Sequence, residues 1–182
     1  GNFVVTPTAI ARTSAQHRVG GYRDDLPHTG DMEMWMRLAL IGSVAYVDSF
    51  QAYYRRHSNN MSNSFHYCGI ADLSQKHQAI EATLAVAPYE PMEILRLRSI
   101  AQASLAREAQ TGADMAFEQG DMVACRECQY FASRLYPAIA NDVEWRRMEW
   151  KRLIGRQAWG IIRKMIAPFR WHKGVHQLSE CV

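Results

Sequence analysis

The sequence predicts two unlike parts: an α/β unit over residues 1–62 and an all-α helical extension over residues 63–182. Three observations lead there. Up to about residue 63, short β-prone runs alternate with turn signals around one helical segment. Beyond it, long blocks with helical apolar spacing are separated by Pro and Gly. Bulk agrees, since 182 residues of which 48% are hydrophobic can bury a substantial core in one domain or two small ones.

In the first part the β-prone runs are "NFVVT", "SVAYV" and "FQAYYRRH", punctuated by Gly20-Gly21, Asp24-Asp25 and Gly42-Ser43, with a helix expected from about Asp31 to Ile41. The polar cluster "HSNNMSNS" marks the boundary. Helices are then expected over roughly 67–86, 91–111, 113–119, 122–135 and 140–167, divided by Pro88, Pro91, Gly112, Gly120 and Pro137. Without a low-complexity segment or long flexible linker, the two parts are expected to pack together. The stretch "MAFEQGDMVACRECQYFASRLYP" resembles the latter half of a tetratricopeptide repeat, with Gly120-Asp121 at the turn and small Cys125 and Ala132 where helices approach. One visible repeat favours a single helical hairpin over a stacked array. Cys125-x-x-Cys128 falls inside this helix, lacks a second pair at zinc spacing, and is read as packing.

No apolar run approaches the ~20 residues needed to span a bilayer. The opening "GNFVVTPTAIAR" has neither an initiator Met nor the layout of a signal peptide, and is read as an interior start. Four scattered cysteines suit a reducing, cytoplasmic compartment. The net charge of +3 hides an asymmetry: residues 145–173 hold nine Lys or Arg against Glu149, a local +8 that leaves −5 for the rest. That pattern calls for an anionic membrane surface or a polyanion as partner. From Trp150 the positions Leu153, Ile154, Gln157, Ala158, Ile161, Ile162, Met165 and Phe169 form one helical stripe, with Lys151, Arg152, Arg156, Arg163 and Lys164 opposite. A basic amphipathic helix of this kind suits the inner face of a membrane, with packing on the protein's own core as the alternative. Nucleic acid is not expected, because the charges are not interleaved with a binding fold.

In "LPHTGDMEMWMRLA" a lone carboxylate, Asp31, precedes a helix-favouring run. There it either caps the helix or takes a proton. Its neighbourhood supplies a context: Val19 to Tyr22, then Asp31, Glu33, Trp35 and Arg37, then Tyr54, Arg55, Arg56, His57, Asn60 and Ser62. This order closely resembles the second half of the catalytic domain of family 2 glycosyltransferases, inverting enzymes with the GT-A fold. The resemblance covers about residues 1–62, a third of the chain. It implies a partial GT-A domain whose acceptor side is present, with Asp31 as catalytic base. Trp35, Arg55 and Arg56 would bind substrate, and His57 would help hold a divalent metal, Mg or Mn.

The chemistry explains the residue types. A sugar or lipid hydroxyl attacks the anomeric carbon once a carboxylate removes its proton, and a divalent ion neutralises the departing nucleoside diphosphate. Partners implied are a nucleotide-sugar donor and a glycan or lipid-linked acceptor. Two features depart from the family pattern: Gly30 stands where many members have Glu, and the Asp-x-Asp motif for metal and nucleotide is absent from the sequence. This chain alone is therefore not expected to transfer sugar. A non-catalytic helical module that binds a protein or membrane is the alternative. Glu33 and Arg37 are expected to pair at i,i+4, and Trp35 with Leu38 and Ile41 to face the core.

Overall fold

The computed structural model describes residues 4–53, 55 and 69–166. Among them every regular element is a helix: α1 Thr13–Val19, α2 Gly30–Ile41, α3 Ile70–Val86, α4 Pro91–Gln119, α5 Met122–Leu135 and α6 Val143–Ile166, with short 3-10 turns at Thr6–Thr8 and Pro137–Asn141. The expected α/β unit over residues 1–62, a partial GT-A domain, is thereby corrected, because its described residues form no sheet. "SVAYV" and the described part of "FQAYYRRH" form an irregular, exposed stretch. The physical reason is the lack of a partner. An isolated strand leaves its amide and carbonyl groups without a ladder, and even a two-stranded hairpin is marginal in water.

Local chemistry sets the helix ends. α3 stops where Ala87 takes an extended conformation ahead of Pro88, and α4 starts with Pro91 at its first turn. Gly120 closes α4 in the left-handed region at φ 88°, which lets the Asp121 amide reach back to the Ala116 carbonyl at 2.9 Å. Asp121 then caps α5, its Oδ1 accepting from the amides of Val123 at 3.1 Å and Ala124 at 2.9 Å. The chain is thus folded into an α4–α5 hairpin. Gly112, expected to divide two helices, lies buried inside the continuous α4.

The main core sits between α3, α4, α5 and α6. Ala106, Ala109, Ala113 and Ala116 recur along α4 at intervals of three and four and meet Cys125, Cys128 and Ala132 of α5. Small residues on both sides let the backbones approach. The remaining volume is filled by Leu73, Leu105, Phe117, Ile139 and Met148. A smaller cluster of Leu26, Met32 and Ala79 joins α2 to α3, and Ile80 packs against both clusters. Packing thus runs from α1 to α2, α3, α4 and α5, with α6 laid on α4. No helix among the described residues is long and apolar enough to cross a membrane.

α6 is broken at Gly155, whose φ of 79° and ψ of 160° interrupt the helix. The single stripe expected from Trp150 onward is therefore divided. Met148 and Lys151 are buried before the kink and Ala158, Trp159 and Ile162 are half-buried after it, while Leu153, Ile161 and Met165 face solvent. The part of the basic segment beyond residue 166 lies outside the described residues.

Candidate functional site

The candidate site is the N-terminal end of α2 and the turn that α2 holds. Glu33 is buried, 1% exposed, and its carboxylate accepts three hydrogen bonds from Arg37: two from Nε, at 2.7 and 2.9 Å, and one from Nη2 at 2.7 Å. The same guanidinium reaches outside its helix. Nη2 donates to the Gly21 carbonyl at 2.8 Å and Nη1 to the Val19 carbonyl. Gly20, at φ 85°, bends the chain so that these carbonyls face one side chain. Five donors in a planar fork let Arg37 satisfy a carboxylate and two carbonyls together, which Lys cannot do. The Val-Gly-Gly turn and the Asp-x-Glu-x-Trp-x-Arg helix are thus joined in space by one side chain.

Asp31 stands in the first turn of α2, half-buried. Its Oδ1 accepts from the Met32 amide at 2.6 Å and its Oδ2 from the Thr6 hydroxyl at 2.7 Å. One oxygen therefore does a cap's work, covering a first-turn amide, and the other ties α2 to the Thr6–Thr8 turn. Trp35, one turn further on, is half-buried, and its indole Nε1 is shielded from solvent with no hydrogen-bond partner among the described residues. Of the apolar residues of α2, Met32 packs with Met36 on Leu26, Ala79 and Ile80, and Met34 is buried on the side of Gln16 in α1, whereas Trp35, Leu38 and Ile41, expected to face the core, are half-buried. Arg55 lies in the exposed irregular stretch and not in a strand. Arg56 and His57 fall outside the described residues.

The loop before α2 is anchored from below. His28 Nε2 lies 2.9 Å from Asp72 Oδ1, the His28 amide donates to Gln75 Oε1 at 3.0 Å, and the Thr29 hydroxyl donates to the Gln75 carbonyl at 3.1 Å. Asp72 also accepts from Lys76 Nζ at 2.8 Å, and Lys76 donates to Glu108 of α4. Burial disfavours the Lys76 ammonium, but its hydrogen bonds to Asp72 and Glu108 outweigh this and raise its pKa. A charged network thus runs from the site into the helical part. The sequence reading missed it. Its signal was the i,i+4 pair Asp72 and Lys76 on a mostly apolar helix, which by itself looks like a solvated face.

A shallow, open depression lies beside the turn, lined by Thr13, Gln16, His17, Gly20 and Gly21. Among the described residues no three His, Cys, Asp or Glu side chains are grouped to hold a metal ion; His57, expected to help hold Mg or Mn, lies outside them. Cys125 and Cys128 are buried thiols that form no disulfide. Burial pushes the Cys128 thiol up to about 11 and that of Cys125 above its usual value, which keeps both protonated and supports packing. Compared with protein-family models, curated proteins and solved structures, the chain matches none.

Proposed function

We propose that this chain carries the acceptor-activating part of an inverting glycosyltransferase, and that its own helices form a scaffold for Asp31. The observation that carries this reading is the Arg37 clamp, which joins the first two of the three stretches on which the resemblance rests and sets Asp31 at the end of a fixed helix. It relies on those residues and not on a sheet. In this reading a hydroxyl of a glycan or lipid-linked acceptor loses its proton to an Asp31 oxygen as its own oxygen bonds to the anomeric carbon, and the nucleoside diphosphate leaves from the opposite face. Half-buried Trp35 offers part of its ring as an apolar wall to the sugar. Donor binding requires an Asp-x-Asp or equivalent element that the sequence lacks. A cytoplasmic setting belongs to this reading, supported by nucleotide sugars as donors and by the reduced, buried thiols of Cys125 and Cys128.

The test uses the complete native polypeptide that contains these residues. Nucleotide-sugar turnover is measured with and without Mg or Mn, for wild type and Asp31→Asn. A general base is worth about 10²–10⁴-fold, so the variant should fall by that factor with folding intact. Undiminished turnover in Asp31→Asn would overturn the assignment. A second reading, a non-catalytic helical interaction module, draws support from the placement of the main core wholly within α3 to α6 and the adjoining 3-10 turn. It predicts no turnover with any nucleotide sugar.

A further inference from the structure

We propose that the outer face of α6 docks on an anionic membrane surface and lies in the headgroup layer without crossing it. α6 carries seven Lys or Arg against Glu144 and Glu149. Several of these cations are engaged by the protein itself: Lys151 pairs with Asp114 at 2.8 Å, Arg163 with Glu118 at 3.2 Å, Arg152 donates to Gln129 Oε1 at 2.8 Å, and Arg147 lies over the Trp159 ring. Those contacts fix the inner face of both segments of α6 on α4 and α5. What remains outward is of a different kind.

Trp150, Leu153, Ile161 and Met165 are each more than 60% exposed, and Arg146 and Lys164 are exposed on the same helix, whereas the Arg156 side chain folds back on Gly120 at the α4–α5 turn. Among the described residues neither Arg146 nor Lys164 pairs with an acid; Arg146 donates only to the Asn141 carbonyl, at 3.3 Å. Large apolar side chains in water beside uncompensated cations match a surface that offers acyl chains and anionic headgroups at once. A second copy of the same face would bring like charges together. A nucleic acid would leave the apolar side chains uncovered. The kink at Gly155 lets each segment keep its inner face on the protein and its outer side chains in solvent.

The test is co-sedimentation of the full chain with phosphatidylcholine vesicles, with and without phosphatidylglycerol, at low and high salt. Binding is expected only with phosphatidylglycerol and weaker at high salt. Arg146→Gln and Lys164→Gln should each lower the partition coefficient about five-fold, and Leu153→Asp with Ile161→Asp should abolish binding while circular dichroism stays unchanged. Equal binding to both vesicle types, or none to either, would overturn the proposal. So would binding that survives the two Asp substitutions and is competed by an oligonucleotide, which marks a polyanion site. A doubled solution mass that the Asp substitutions restore to a monomer would assign the face to a second copy instead.

Discussion

Arg37 is the residue through which the candidate site holds together, since it satisfies buried Glu33 and the carbonyls of Val19 and Gly21 at once. Removing one partner of a buried pair leaves the other charged and desolvated. Arg37→Met should therefore destabilise by about 3–5 kcal/mol, read as a lower urea midpoint. Arg37→Lys should recover part of this, because one ammonium cannot bond a carboxylate and two carbonyls in the same plane. The pairing of Glu33 with Arg37 was legible from i,i+4 spacing. The reach to Val19 and Gly21 was not, because no spacing rule connects a helix to a turn sixteen residues earlier. The thiols allow a pH test. Cys128 is held near 11 and so favours the folded state fully below its unfolded value of 9.0; that contribution is lost as pH rises towards 11. The urea midpoint should fall between pH 9 and pH 11 for wild type, and fall less for Cys128→Ala measured against its own value at pH 8.

At the scale of the element, the left-handed Gly155 decides the shape of α6. An alanine there is strained, and Gly155→Ala should cost about 1–2 kcal/mol or straighten the helix. Thermal melting reads the first outcome, and altered exposure of Trp150 and Trp159 to a collisional quencher reads the second. The helices after residue 69 were legible within a few residues because Pro88, Pro91, Gly120 and Pro137 punctuate them. Gly112 misled, since a glycine on a buried face marks close helix approach as readily as a break. The runs "SVAYV" and "FQAYY" misled for another reason. Alternating apolar residues report a preference for a pleated, half-buried surface, and a strand exists only when another strand completes its ladder. Val44, Tyr46, Phe50 and Tyr53 instead stand exposed.

At the scale of the whole molecule, the chain His28, Asp72, Lys76 and Glu108 makes the end of α2 depend on α3 and α4. Lys76→Met leaves two carboxylates buried without their cation. It should cost about 3–5 kcal/mol and open the loop before α2 to limited proteolysis, cutting near Arg23 ahead of any site in α4. Cleavage in α4 first would show that the two regions do not communicate through this network.

The account's central claim is that Asp31 takes a proton and does not merely cap α2. Asn keeps a cap's acceptor oxygen but is not a base, so the deciding measurement is turnover and melting temperature on the same preparation of Asp31→Asn in the complete native polypeptide. The account predicts an unchanged melting temperature with turnover down by about 10²-fold or more. Turnover equal to wild type would contradict it and leave Asp31 as a helix cap.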